Sequence, residues 1–210
     1  MRGFMVADSV VFDQGEYDKY RAGVLPTVEG HGGRFLIRGG RFERLEGVKE
    51  WHRIVGLEFP TPAALRGWYC SPEYQELIKQ RLRGGRTEMV FAEETVSAGA
   101  AAAPPAVAPA PGTPPAYVIA DIDIHDLDAI RAYTDHVAAT HAEYGSRYLS
   151  RGGALEVVEG DWQPKRLILI EFPSWEAARG WYFSDVYQAL VRVRQTCSTT
   201  EAVLVEGHAG

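Results

Sequence analysis

Cysteine, long apolar runs and surplus basic charge are all scarce in this chain of 210 residues. Only Cys70 and Cys197 occur, with no CxxC spacing, which excludes a disulfide framework. No apolar stretch approaches the roughly 18 residues needed to span a bilayer, so no membrane partner is expected. The opening MRGFMVADSV reaches Asp8 before a signal-peptide core can form, and a cytoplasmic location is expected. Lys and Arg number 22 against 28 Asp and Glu, a net charge of −6 that speaks against a nucleic-acid partner. The deficit is lopsided: residues 1–94 hold 14 basic and 14 acidic side chains, and residues 117–210 hold 8 and 14. No GxSxG is present, and no glycine-rich loop opens a helix, so neither acyl-enzyme chemistry nor nucleotide binding has its motif. The remainder, 46% hydrophobic and 24% charged, is the composition of a globular protein.

The chain is two copies of one unit. Shifted by 113 residues, 3–93 aligns without a gap on 116–206, with 33 of 91 positions identical. Arg38-Gly39-Gly40 falls on Arg151-Gly152-Gly153, Glu58-Phe59-Pro60 on Glu171-Phe172-Pro173, and Arg66-Gly67-Trp68-Tyr69 on Arg179-Gly180-Trp181-Tyr182. Between the copies, residues 95–116 carry six of the twelve prolines and no charge, a composition that reads as an extended linker. The expected domains are therefore 1–94 and 117–210, joined by 95–116.

Within a copy the periodicity alternates. Residues 4–12 read as a strand; Asp13 with Glu16 offers a capping box for a helix to about Gly30, with Pro26 inside it. Residues 34–38 read as a second strand, and Gly39-Gly40 suggests a bulge after which the strand resumes to Leu45 and pairs back on 53–59. A short helix after Pro60, a helix over 73–82 capped by Ser71, and a strand over 87–92 complete a ferredoxin-like βαββαβ unit. The fold class is thus α+β, two tandem ferredoxin-like units. The second sheet face of each is apolar, and the two faces are expected to bury each other in a pseudo-twofold α+β barrel: an intramolecular pseudodimer, with exchange between chains in a homodimer as the alternative.

Tyr148-Leu149-Ser150-Arg151-Gly152-Gly153, Glu159-Gly160-Asp161-Trp162-Gln163-Pro164, Ile170-Glu171-Phe172-Pro173-Ser174 and Trp181-Tyr182 together resemble the DUF1330 family of the dimeric α+β barrel superfamily. The resemblance covers both copies and implies that duplication replaces a homodimer. The first copy departs from it at Val48-Lys49-Glu50-Trp51-His52; the second departs at Ser146 and Ser150, where the first has Gly33 and Ile37. The family has no settled activity. Its superfamily includes cofactor-independent monooxygenases, lactone isomerases and polyketide cyclases that use His, Tyr or Asp beside an apolar pocket, an analogy of fold.

Candidate site residues follow from charge, aromaticity and asymmetry. Arg38 with Glu58, and Arg151 with Glu171, are set opposite each other by the expected hairpin, the arginine to hold a carboxylate or enolate and the glutamate to orient it or move a proton. The bland alternative is an ion pair that fixes strand register. Arg53 and Arg166 have the opposite strand parity and are expected to face solvent. Trp68, Tyr69 and Tyr74, with Trp181, Tyr182 and Tyr187, offer walls for a flat ligand or simply core. No histidine is shared between the copies: His31 stands where the second copy has Tyr144, His136 where the first has Gly23, and His141 where it has Val28. His141 and His136, then His31 and Tyr144, are the acid/base candidates, at one of two unequal pockets. Asp121, Asp123, His125, Asp126 and Asp128 crowd together, but successive strand residues face opposite ways and Asp126 reads as a helix cap, so no metal is expected. The leading expectation is a cofactor-independent enzyme acting by proton transfer on a small aromatic or polyketide-like carbonyl compound. The alternative is a non-catalytic ligand-binding or assembly protein.

Overall fold

A computed structural model of the chain describes residues 1–95 and 107–209. The first copy runs β1 (Gly3–Val11), α1 (Gln14–Gly30), β2 (Arg34–Arg38), β3 (Phe42–Glu46), β4 (Arg53–Phe59), α2 (Pro62–Tyr69), α3 (Pro72–Gly84) and β5 (Gly85–Glu93). The second runs β6 (Ala116–Ile124), α4 (Arg131–Val137), a 3₁₀ segment (Ala138–Tyr144), β7 (Arg147–Arg151), β8 (Leu155–Glu159), β9 (Leu167–Phe172), α5 (Trp175–Phe183), α6 (Asp185–Gln195) and β10 (Ser198–Glu206). Half of the expected linker, 96–106, lies outside the described residues.

The helix starts follow local chemistry. The Asp13 carboxylate accepts from the Glu16 amide at 3.0 Å, satisfying one of the free donors at the start of α1. Thr61 and Ser174 cap α2 and α5 in the same way, as do Ser71 and Ser184 for α3 and α6. Pro26 lies inside α1, which stays one helix. In the second copy the Asp126 carboxylate caps a turn, accepting from the amides of Asp128 and Ala129, and the helix itself is shorter. It passes into the 3₁₀ segment at Ala138.

Two five-stranded antiparallel sheets form, in the orders β2-β4-β1-β5-β8 and β3-β10-β6-β9-β7. Each ends on a short arm from the other copy: β8 pairs with β5, and β3 pairs with β10. The expected hairpin of 39–45 on 53–59 therefore does not form. Gly39 and Gly152, with φ of 73° and 72°, end β2 and β7 in the left-handed region that glycine tolerates. The chain then leaves the sheet instead of resuming beside β4. Its new neighbour is close: a Cβ on Gly40 would stand 2.8 Å from the Glu206 carbonyl oxygen at the end of β10.

Two compact units result. One comprises Met1–Gly39, Trp51–Glu94 and Ala154–Gln163; the other comprises Gly40–Glu50, Thr95–Gly153 and Pro164–Gly210. Unit 1 thus contains an arm of the second copy and unit 2 an arm of the first, so compactness in space does not follow the repeat boundary in sequence. In unit 1, Val24 and Val28 of α1, Leu65 and Trp68 of α2 and Tyr74 of α3 pack on Met5, Leu57, Phe59 and Met89 of the sheet. Unit 2 has the equivalent core around Val137, Trp181 and Tyr187. Each tryptophan is fully buried and donates its indole N–H to a threonine hydroxyl, Trp68 to Thr27 at 3.1 Å and Trp181 to Thr140 at 2.8 Å.

Candidate functional site

Each unit holds a pocket between its helices and its sheet, built from equivalent positions. Alternate residues of the strands point to this face, and β1, β4 and β5 line the unit 1 pocket with Ala7, Val55 and Met89, as β6, β9 and β10 line that of unit 2 with Ala120, Ile168 and Ala202. The empty space measures about 630 Å³ in unit 2 and about 420 Å³ in unit 1, the mouth included.

Three side chains set the unit 2 pocket apart. His141, on the 3₁₀ segment, is fully buried, with Nδ1 2.7 Å from the Ser146 hydroxyl and Nε2 2.8 Å from the Tyr148 hydroxyl. The Ser146 hydroxyl also faces the His141 carbonyl at 3.4 Å. If it donates there, its oxygen accepts from Nδ1–H, and Nε2 is left to accept the phenol proton of Tyr148. Burial, with Arg151 nearby, pushes the His141 pKa down to about 4, so the ring is neutral near pH 7. Burial pushes the Tyr148 phenol up. The imidazole stacks on Trp181, ring centroids 5.0 Å apart, and Tyr148 lines the pocket beneath the Arg151 guanidinium, 5.0 Å from its ring centre. In the first copy these positions are Val28, Gly33 and Phe35, and a Cβ on Gly33 would lie 2.4 Å from the Phe59 ring. One copy therefore has a hydrogen-bonded relay where the other has apolar packing.

A second set is present in both units. Arg81 of α3 is 1% exposed and donates Nη2 to both oxygens of Glu159, on arm β8, at 2.6 and 2.8 Å. Arg194 of α6 likewise reaches Glu46 of β3 at 2.6 Å. Tyr69 donates to Glu159 and Tyr182 to Glu46, and burial raises both phenols. Each arm is pinned beneath its helices by a buried ion pair.

The pairing of Arg38 with Glu58 and of Arg151 with Glu171 does not occur. Without the hairpin, the register puts Arg34 opposite Glu58 and Arg147 opposite Glu171, and places Arg38 and Arg151 opposite Val55 and Ile168. Glu58 bonds Arg2 and Arg34, and Glu171 bonds Tyr117 and Arg147; neither glutamate lines either of these two pockets. Arg38 and Arg151 do line the pockets, joined by Arg53 and Arg166, whose expected solvent exposure is corrected. The odd-numbered residues of β4 share the helix-covered face, and each second arginine folds back to donate to the carbonyl of the first, Arg53 to Arg38 at 3.0 Å and Arg166 to Arg151 at 3.2 Å.

The other candidates divide. Trp181, Tyr182 and Tyr187 line the unit 2 pocket, whereas Trp68, Tyr69 and Tyr74 sit in the core beside the smaller one. Of the histidines only His141 joins the site. His136 is exposed on α4, and His31 closes α1 through a contact of Nδ1 with the Thr27 carbonyl at 3.0 Å. Tyr144 packs at the end of the 3₁₀ segment against Gly180. Sequence reasoning missed Tyr148, Tyr20, Tyr133 and the arginines Arg53, Arg81, Arg166 and Arg194. The available signal was that Val28, Gly33 and Phe35 all change polarity in the second copy, at spacings that bring them to one corner. Among the described residues no three His, Cys, Asp or Glu side chains converge to hold a metal ion, and no helix is long and apolar enough to cross a membrane.

Two antiparallel sheets with helices over a pocket on each make this a tandem ferredoxin-like α+β protein. The sequence belongs to the DUF1330 family, a domain of unknown function, which it matches over residues 2–95 and 115–208. No curated protein matches it significantly. Among solved structures it is similar to a candidate monooxygenase of Lactobacillus acidophilus, at 11% identity and TM-score 0.53 over 98% of this chain and 93% of that one. It is also similar to an anthrone oxidase-like protein, at 10% identity and TM-score 0.51 over 98% and 91%. A variant of chlorite dismutase from Candidatus Nitrospira defluvii is similar too, at 11% identity and TM-score 0.51 over 97% and 90%. At such identities the likeness is one of fold.

Proposed function

We propose that the protein is a cofactor-independent enzyme whose unit 2 pocket moves a proton on a small aromatic or polyketide-like carbonyl compound. The observation that carries this is the Ser146–His141–Tyr148 relay: three positions differ in polarity from the first copy, and His141 bonds both Ser146 and Tyr148, of which Tyr148 lines the pocket. Residues changed only to fill a core need no such mutual satisfaction.

The chemistry follows from the charges. As the Tyr148 oxygen takes a proton from carbon next to a carbonyl, its own proton passes to Nε2 of His141, and the Ser146 oxygen accepts from Nδ1–H of the imidazolium formed. Arg151 and Arg166 supply positive charge for the enolate oxygen at the same pocket. A histidine held at about 4 is a weak base, so the reading selects an already acidic C–H, as in a 1,3-dicarbonyl or an anthrone-like ketone. Apolar side chains, among them Val118, Ile122, Ile168 and Ile170, suit such a flat body. The likeness to an anthrone oxidase-like fold supports the choice of probe.

The test is hydrogen–deuterium exchange at the acidic carbon of anthrone and of a cyclic 1,3-diketone in D₂O, followed by NMR with and without protein. Exchange above the buffer rate is expected, reduced by about 10²-fold or more in Tyr148→Phe and His141→Phe. Buffer-rate exchange for every probe, or undiminished exchange in both variants, would sink the assignment and favour ligand binding without catalysis.

A further inference from the structure

The unit 1 pocket has lost the relay and gained charge. Four arginines line it, Arg21, Arg38, Arg53 and Arg81, whereas unit 2 has three, because Thr134 stands in place of Arg21. Several of their donors are buried and unmatched: Nε of Arg21, Nε of Arg53, and both Nε and Nη1 of Arg81. The cause at Arg81 lies on the neighbouring strands. In unit 2 the equivalent Arg194 spends its Nη1 on the Thr200 hydroxyl. In unit 1 that hydroxyl belongs to Thr87 and is held by Ser9 at 2.9 Å, and Ser9 is replaced by Ile122 in unit 2. In unit 1 the Thr87 hydroxyl thus has Ser9 as its partner, and Arg81, which lines the pocket, is left with a buried, unmatched guanidinium N–H. The carboxylates touching these arginines are Glu159 on Arg81 and Asp18 at the surface on Arg21, so positive charge is in excess. A buried donor without an acceptor is costly, and a ligand supplying the acceptor would recover that cost. Met5, Ala7, Val24, Phe35, Val55 and Met89 form an apolar part of the wall, beside Tyr17 and Tyr20.

We infer that the unit 1 pocket is a binding site for a small monocarboxylate with an apolar or aromatic body. Its carboxylate sits among Arg81, Arg53 and Arg21, within reach of the Ser9 and Thr87 hydroxyls, and its body lies against the methionines. The two pockets of one duplicated chain then take different ligands: an anion in unit 1 and a neutral carbonyl compound in unit 2. This inference stands independently of the chemistry proposed for unit 2.

Methionine reports on it directly. The chain has three methionines, and two of them, Met5 and Met89, line this pocket, whereas none lines that of unit 2. With ¹³C-methyl-methionine protein, benzoate is expected to shift the Met5 and Met89 resonances saturably and leave Met1 in place, whereas benzyl alcohol and inorganic phosphate shift neither at equal concentration. Arg21→Thr, which installs the residue of the other copy, should weaken benzoate by about tenfold, the worth of one hydrogen bond to a charged group, and Arg81→Leu should abolish saturable binding. Tyr148→Phe should leave benzoate binding unchanged, which separates this site from the unit 2 reading. Absence of a saturable shift, equal binding of benzyl alcohol or phosphate, or undiminished affinity in Arg21→Thr would each overturn the inference. Arg21→Thr decides the matter even if Arg81→Leu fails to fold.

Discussion

At the scale of single residues, the neutral His141 ties stability to pH. Its folded pKa, near 4, lies below the ordinary value of 6.5, so between these the unfolded chain binds the extra proton. Stability contributed at this site is therefore present above about pH 6.5 and falls as the pH drops toward 4, by up to about 3 kcal/mol. Urea unfolding of wild type and His141→Phe at about pH 4.5 and 7.5 measures this, and the variant should lose less stability on acidification. The triple change His141→Val, Ser146→Gly, Tyr148→Phe recreates packing that the first copy already uses beside Phe59. It should fold, with thermal stability within about 2 kcal/mol of wild type, and lose the proton exchange, whereas Ser146→Gly alone leaves a buried imidazole donor unpaired. His141 was legible in the sequence as an asymmetry between copies. Its partners were not, because a hydrogen bond between residues five and seven apart depends on how the chain turns from the 3₁₀ segment into β7.

The elements show where strand reasoning stops. The capped helices and the strands flanking them were readable from local chemistry, since caps and alternation are short-range. The arms were not: β3 has the alternation of a hairpin strand, and only the edge of β10 distinguishes its true partner from β4. That error propagated to Arg38 and Glu58, since pairing register sets which side chains meet. The glycines at the departure points carry the cost. Gly152→Ala would force a left-handed φ on alanine and place its Cβ 2.7 Å from the Arg166 guanidinium. A loss of about 1–2 kcal/mol is expected by chemical denaturation, with a displaced Arg166. The buried pair that pins β8 is a stricter test. Glu159→Gln leaves Arg81 charged without its carboxylate and should cost about 3 kcal/mol or more, with faster amide exchange along Leu155–Glu159. Amide exchange there equal to wild type would show that the arm is held by the β5 ladder alone.

For the molecule as a whole, the exchange of arms means that neither copy contains a complete sheet. A fragment of residues 1–94 expressed alone keeps β1, β2, β4 and β5 but lacks β8, which leaves β5 as an open edge and the fragment's own arm, β3, without β10 to pair with. It should self-associate, each fragment lending β3 to another, and light scattering should report a dimer or larger species. A stable monomer with native-like amide protection would show that the arms are dispensable.

The duplication, the α+β class and the order of helices and strands were determined by the amino-acid sequence itself, because each rests on identity, alternation or capping, whereas His141 stood there as one of several histidines that the copies do not share. Which strand each arm joins, which arginines enter the pockets, and that Ser146 and Tyr148 complete the histidine were decided only in three dimensions. These depend on register, on how the chain turns into β7 and on edges contributed by the other copy, and a glycine pair marks where the chain departs without marking where it goes.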